Sequence, residues 1–384
     1  MKEKGRNDKG MFSEQDMQKQ RRAKLITAEQ LLNNSEFQAI DVRSPGEFDE
    51  SHIPGAVNIP IFSNEERAEI GTIYKQIGER AARWKAMEVV SAKIPAIMSA
   101  IKSISDSGSQ PVIHCWRGGM RSKSIAQFAE LSGLSVYRLE GGYRAYRQYI
   151  LEEMTDLVPE QSVVLHGMTG VGKTEILWKL AEEDYPVIDL EGAANHKGSL
   201  FGSFGLGKPH NQKTFDSILY QQLCKIENSS YYIMEAESKR VGHAVVPDSI
   251  LQGKAEGIHI VIESSIKARV ERTYKEYVED LIDQEWFMEK TEENLIKITK
   301  RLRNPELEFQ LWEDFRTRNF RGLIEKLYIY YYDPRYQFKE DSYKGDHHYI
   351  IGDDIDDICN QIKAILKEYG LTNTNQVSKG RSLS

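Results

Sequence analysis

Short apolar runs alternate with helix-period stretches from Leu25 onward. Phe37–Val42, Pro111–His114 and Ser135–Leu139 read as buried strands bounded by polar or glycine-containing segments. Arg83–Ile104 and Lys123–Leu131 carry apolar residues at helical spacing between them. Strands separated by helices imply a mainly parallel sheet covered on both faces, a doubly wound α/β domain. A polar segment, Glu152–Gln161 with Pro159, closes this unit, and a second strand series follows at Ser162–His166, Val187–Leu190, Tyr231–Glu235 and Ile258–Glu263. From Ile266 to about Tyr332 the chain turns long, charged and helical. The pattern predicts a disordered lead-in over residues 1–22, a first domain over 23–151, a second over 160–372 with a helical extension at about 266–332, and a loose tail at 373–384. It contains no internal repeat.

Composition agrees with two folded domains: 384 residues, 40% hydrophobic and 28% charged, exceed what one core normally serves. No run approaches the apolar length that crosses a bilayer, and the N-terminus lacks the apolar core of a signal peptide, so a cytoplasmic protein with no membrane partner is expected. The formal charge of -7 excludes a globally attractive field for nucleic acid, which must then use local basic patches. Two such groups are Lys297, Lys300, Arg301 and Arg303, and Arg316, Arg318 and Arg321. Aromatic residues lie among them: Trp286, Phe309, Trp312, Phe315 and Phe320. These suit either base stacking on RNA or the core of a helical bundle. The three cysteines, at 115, 224 and 359, have no metal-ligand or disulfide spacing, which leaves room for one reactive thiol.

Cys115 is the candidate. The run Val112-Ile113-His114-Cys115-Trp116-Arg117-Gly118-Gly119-Met120-Arg121-Ser122 places it directly after a strand and before a helix. Main-chain N–H groups of such a glycine-containing loop and of the helix N-terminus point inward, and Arg117 and Arg121 add positive charge. The thiolate is favoured there, and a persulfide, a selenide or an oxyanion is held by the same donors. Cys115 is therefore expected to act as a selenium or sulfur carrier or as a nucleophile, with Arg117 and Arg121 stabilising thiolate and oxyanion.

The stretch Asp41-Val42-Arg43 through Glu47-Phe48 and His52-Ile53-Pro54-Gly55-Ala56 resembles the N-terminal signature of rhodanese-type sulfurtransferases. That resemblance implies a rhodanese-like first domain in which Asp41, Arg43 and His52 are scaffold for the active loop. His114-Cys115, five residues, then Arg121-Ser122 equally satisfies the His-Cys-x5-Arg-Ser pattern of cysteine phosphatases, some of which share the fold. The loop alone leaves both chemistries open.

In the second domain Gly167-Met168-Thr169-Gly170-Val171-Gly172-Lys173-Thr174 fits G-x-x-x-x-G-K-[ST] between a strand and a helix that starts near Glu175. Gly167, Gly170 and Gly172 permit the tight turn, the amides cradle a diphosphate, Lys173 neutralises it, and Thr174 is a possible Mg²⁺ ligand. No other metal site is expected, and no tightly bound cofactor. The acidic residue that nucleotide hydrolases place at the end of a neighbouring strand has no clean match, so hydrolysis of ATP does not follow. Asp189, Glu191, Asn195 and His196, with Gly198, Ser199, Gly202, Gly205 and Gly207 behind them, leave one strand end, and Glu235, Glu237 and Arg240 another. Ligands of parallel sheets sit at such ends, which makes Asp189, Glu191, Asn195, His196, Glu235 and Arg240 candidate contacts.

Read together, Cys-x-Arg-Gly-Gly-x-Arg-Ser, Gly-x-Thr-Gly-x-Gly-Lys-Thr, Asp-Leu-Glu-Gly-x-Ala-Asn-His-x-Gly-Ser, Glu-Ser-Lys-Arg-Val-Gly at 237–242 and Tyr-Tyr-Asp-Pro-Arg-Tyr at 331–336 resemble the bacterial tRNA 2-selenouridine synthase family over residues of about 24 to 370. The resemblance implies a tRNA partner carrying wobble 2-thiouridine, whose sulfur is replaced by selenium from selenophosphate through an S-geranyl intermediate made from geranyl diphosphate. On that reading Cys115 handles selenium, while Lys173, Thr174 and the loop glycines hold the departing diphosphate. Two other classes stay open at this point: a phosphatase fused to a nucleotide-binding module, and a sensor without turnover.

Overall fold

The structure is a computed structural model that describes residues 23–197, 207–302, 304–336 and 343–373. The chain divides into two compact units, Met1–Ile150 and Leu151–Ser384. The lead-in expected at 1–22, and the tail from residue 374 onward, lie outside the described residues.

The first unit holds strands β1 (Lys24–Ile26), β2 (Phe37–Asp41), β3 (Val57–Asn58), β4 (Gln110–His114) and β5 (Tyr137–Leu139) in the order β1-β5-β4-β2-β3. Every pairing in it is parallel. β4 is central, and its apolar residues bury Val112 and Ile113 completely, as the unbroken apolar run of a doubly covered strand should. The core joins Ile40, Val42, Ile113, Ile125 and Ile101. One long helix was expected over Arg83–Ile104; two form, Glu79–Ser91 and Ile94–Asp106. Pro95 explains the break: it lacks an N–H and cannot continue a helix, but it suits the first turn of a new one, where it is found.

The second unit holds β6 (Gln161–Gly167), β7 (Val187–Ile188), β8 (Tyr231–Glu235), the two-stranded ribbon β9 (Arg240–Val241) and β10 (Ala244–Val245), β11 (Ile258–Glu263) and β12 (His347–Ile351). Its main sheet is parallel throughout, in the order β12-β11-β6-β8-β7. The connection leaving β6 runs toward β7, whereas that leaving β8 crosses β6 to reach β11. The carboxyl ends of β6 and β8 therefore flank a topological switch point, the place where ligands of such sheets bind. The run expected as strand Val187–Leu190 ends at Ile188, because Asp189 caps a short helix, Leu190–Ala194, by accepting from Gly192 N–H at 2.7 Å.

The expected helical extension is present in pieces: Ile266–Tyr274, Glu285–Thr299, Pro305–Arg316 and Phe320–Leu327, with π-type turns at Lys275–Glu279 and Tyr328–Tyr332. Phe287, Leu295, Leu311, Phe320 and Leu323 make its own apolar core. Among the described residues no helix is long and apolar enough to cross a membrane.

Candidate functional site

The thiol loop starts from local sequence. Ser44 opens a helix at Pro45–Glu50 through a capping box in which its N–H donates to Glu47 Oε2 at 3.2 Å. Asp41 and Arg43 form a buried pair at 2.6 Å, and Arg43 also donates to Ser51 O at 2.6 Å. The Arg43 guanidinium lies 4.5 Å from the Tyr143 ring centroid and 5.9 Å from that of Trp116, so the pair props the loop from beneath. His52 stacks on Phe48 and shares a hydrogen bond with its carbonyl at 2.9 Å. These three residues are structural supports, as expected of them.

Cys115 leaves the end of β4 only 3% exposed, its Sγ 3.4 Å from Ser122 Oγ. Among the described residues the N–H groups of Arg117, Gly118 and Gly119 donate to no backbone carbonyl. Arg117 is exposed, and no carboxylate pairs with it among the described residues. The loop thus keeps amide donors and one cation available to an anion. Arg121 has a different duty from the one its position suggested: its guanidinium is bidentate on Glu47, at 2.7 and 3.3 Å. Burial pushes the Glu47 carboxyl up, but Arg121, the Ser44 N–H and Arg67 outweigh it and hold the carboxyl below its ordinary value. His114 is fully buried and neither ring nitrogen has a hydrogen-bond partner; burial lowers its pKa to about 4, so it stands neutral behind Cys115.

Sequence reasoning missed a second support. Gly141 and Gly142, at φ 66 and 64, turn the chain into the helix Gly142–Asp156. A Cβ on Gly142 would lie 2.3 Å from Cys115 O and 2.4 Å from Gly118 N, so only glycine fits against the loop. Tyr143 N–H donates to Cys115 O at 2.9 Å, Arg144 N–H to Trp116 O at 3.0 Å, and Arg138 to Gly118 O at 2.6 Å. The Gly-Gly pair following a short strand was the available signal.

In the second unit the phosphate loop joins β6 to the helix Lys173–Glu182. Gly167, Gly170 and Gly172 take φ of 154, 83 and 88, which side chains rarely adopt. Space forbids side chains there too: a Cβ on Gly170 would meet Tyr328 Oη at 2.3 Å, and one on Gly172 would meet Ile355 Cδ1 at 2.6 Å. Lys173 Nζ donates to Gly167 O at 3.0 Å, which holds the ammonium over the loop. Thr174 Oγ1 donates to Glu191 Oε2 at 3.2 Å, and Glu191 N–H donates to Glu235 Oε1 at 2.8 Å. Glu235 ends β8 completely buried, its Oε2 without a partner. Burial, then Glu191, Asp189 and Glu237, push its carboxyl well above the ordinary range.

The helical extension clamps this loop. Arg269 donates to Thr169 O at 2.9 Å and is bidentate on Asp333 at 2.6 and 2.9 Å, while Arg272 donates to Gly170 O at 3.2 Å. Asp333 belongs to the Tyr-Tyr-Asp-Pro-Arg-Tyr motif, whose role the sequence alone left blank.

The other candidates divide. Glu191 and Glu235 stand at the phosphate loop. Asp189 spends its carboxylate on the helix cap and on Trp178 Nε1, 2.9 Å away. Asn195 ends the same helix at φ 47 and donates to Lys208 O at 3.0 Å, a capping duty. A Cβ on Gly242 would lie 3.0 Å from the His196 side chain, which places His196 beside the ribbon that contains Arg240, whose own side chain is exposed. Gly198, Ser199, Gly202 and Gly205 lie outside the described residues, as does Arg303.

Of the aromatics proposed for RNA or core, Phe315 and Phe320 are buried and Trp286 and Trp312 pack against that core; only Phe309, 64% exposed, faces solvent. Arg321 pairs with Glu271 at 2.7 Å and covers Tyr274. Among the described residues no group of three His, Cys, Asp or Glu side chains is disposed to hold a metal. A Mg²⁺ at Thr174 would therefore need phosphate oxygens to complete its shell.

Residues 160–368 match the family described as tRNA 2-selenouridine synthase AAA domain, and residues 26–149 match the rhodanese-like domain. A tRNA 2-selenouridine synthase of Ectopseudomonas mendocina is 33% identical over 80% of this chain and 88% of its own. One from Shewanella pealeana is 31% identical over 80% and 92%. A crystal structure of an N-terminal domain from Clostridium difficile 630 is 42% identical, covering 33% of this chain and 98% of its own, with a TM-score of 0.32.

Proposed function

The chain belongs to the tRNA 2-selenouridine synthase family, and from that membership we propose that it modifies tRNA with selenium, replacing the sulfur of wobble 2-thiouridine by way of an S-geranyl intermediate. In the first step the base sulfur attacks C1 of geranyl diphosphate. The S–C1 bond forms, the C1–O bond breaks, diphosphate departs, and the proton on N3 of the base passes to solvent. In the second, selenium from selenophosphate takes the place of the thioether at C2. The net exchange consumes one water and releases geranylthiol and phosphate, and we place it at Cys115.

One observation carries the reading: the phosphate loop brings together a glycine turn, an ammonium and a hydroxyl that can hold a diphosphate. The glycine turn, Lys173 and Thr174 fit a leaving diphosphate, which needs positive charge but no activated water. Burial and the neighbouring carboxylates oppose ionisation of Glu235, which does not favour the part of the ionised acid in a nucleotide hydrolase. Thr174 and Glu191 would hold Mg²⁺ together with the diphosphate, and the ion would supply neutralising charge there. On the thiol loop, Arg117 and the uncommitted amides suit the dianionic head of selenophosphate. The cysteine phosphatase reading loses support, because Arg121, the arginine its pattern needs on phosphate, is spent on Glu47.

The test is to incubate the full chain with 2-thiouridine tRNA, geranyl diphosphate and selenophosphate and analyse the nucleosides by mass spectrometry. Both S-geranyl-2-thiouridine and 2-selenouridine are expected, and the absence of both removes the reading.

A further inference from the structure

The helices Asn64–Gln76 and Glu79–Ser91 bury almost nothing: the first has no buried residue and the second only Ala82. Amphipathic helices ordinarily spend their apolar stripe on a core. Here Ile70 and Val90 pack only partly against the core of the unit, and Tyr74 and Met87 remain 57% and 54% exposed. These residues, with Ile94 and Phe128, wall a cavity of about 1710 Å³ that also has Cys115 among its lining residues. Arg67, Lys75 and Arg117 line it as well. Apolar concavities of this kind are where small molecules bind, and one this large has room for a nucleobase and a hydrocarbon chain together.

We propose that this cavity is a hydrocarbon-chain subsite, which takes an isoprenoid or alkyl chain borne by an anionic substrate reacting at Cys115. The walls select for an apolar chain, and the excess of cations in them, with Arg83 and Arg121 beside the three already named against Glu79 and Glu130, selects for a substrate carrying phosphate groups. Resting on the function proposed above, the substrate is the S-geranyl tRNA, with its ten-carbon chain between the two helices and its base at Cys115. A flat protein partner or a second copy of the chain fits less well, because the surface is concave and has the thiol in its wall. The inference divides labour: the phosphate loop grips the diphosphate of the prenyl donor, and the thiol unit grips the prenyl group after its transfer.

The experiment compares anticodon stem-loop RNAs carrying S-geranyl-2-thiouridine or S-methyl-2-thiouridine, binding to the full chain, by fluorescence anisotropy. Wild type should prefer the geranyl RNA by at least about tenfold, the difference that burying about two of the chain's extra carbons makes. Met87→Glu and Tyr74→Glu, at positions exposed enough to tolerate charge in the fold, should each cut that preference below about twofold while the S-methyl affinity stays put. A preference that survives both variants overturns the subsite, and so does an equal loss for the two RNAs. If wild type shows no preference, nucleoside analysis of its products separates the cases. Products formed mean that the subsite alone is wrong, and no products mean that the function reading beneath it has failed too.

Discussion

The two loops of this protein are built alike and supported differently. Each follows a strand of a parallel sheet and runs into a helix through a turn with positive φ, at Gly118 in the thiol loop and at Gly167, Gly170 and Gly172 in the phosphate loop. The thiol loop is braced by the neighbouring strand β5, through Arg138, and by the turn that follows it, through Gly142 and Tyr143, some twenty residues on in sequence. The phosphate loop is braced by Arg269, Arg272, Tyr328 and Asp333, from a helical region a hundred residues away or more. Further support for the thiol loop comes from the Asp41–Arg43 pair beneath it and from Glu47 on Arg121, so both loops also rely on residues distant in sequence, but those of the thiol loop precede it in the chain. An anion cradle needs fixed carbonyls so that its N–H groups converge, and Arg269 and Arg272 bind the carbonyls of Thr169 and Gly170 to that end.

The largest test of this contrast is Cys115→Ser, which should lower 2-selenouridine formation by roughly 10³-fold while S-geranyl-2-thiouridine accumulates at close to the wild-type rate, read by nucleoside mass spectrometry. Equal loss of both products would erase the separation of duties. Next comes Lys173→Ala. Losing one charge-assisted contact to diphosphate should weaken geranyl diphosphate binding about 100-fold by calorimetry and leave the rate of Cys115 alkylation by iodoacetamide unchanged.

Gly142→Ala sharpens the comparison on the thiol side. The new methyl would press on Cys115 O and Gly118 N at a left-handed φ, at a cost of about 2 kcal/mol to the stability of the first unit. Thermal unfolding should show that unit melting earlier, with diphosphate affinity intact. On the phosphate side Asp333→Asn removes the charge that fixes Arg269, and should cost about tenfold in diphosphate affinity. Near-normal affinity would mean that the clamp is ornamental.

Much of this was legible in the chain. The strands Tyr231–Glu235 and Ile258–Glu263 form where apolar runs placed them, and both functional loops were visible because a loop motif is contiguous. The clamps were not legible, because Thr169 and Arg269 meet only after a sheet and a helical region have formed between them. Tyr-Tyr-Asp-Pro-Arg-Tyr stood out as a string without a duty until Asp333 was seen on Arg269. Asp189 and Asn195 looked like ligand contacts because polar residues at strand ends often are; Asp-x-x-Gly ahead of a helix and Asn after it were the overlooked capping signals. The single helix expected at Arg83–Ile104 is two because Pro95 opens a new first turn.

The Tyr328 hydroxyl standing against Gly170 bears on how the protein is made. The glycine loop leaves the ribosome well before the tyrosine that wedges it, and Ile355, which backs Gly172, emerges later still. During synthesis, then, the thiol unit can fold with all its braces in hand, while the phosphate cradle stays unfinished until nearly the whole chain is out. A truncated or stalled product would carry a finished Cys115 loop beside an unfinished glycine loop.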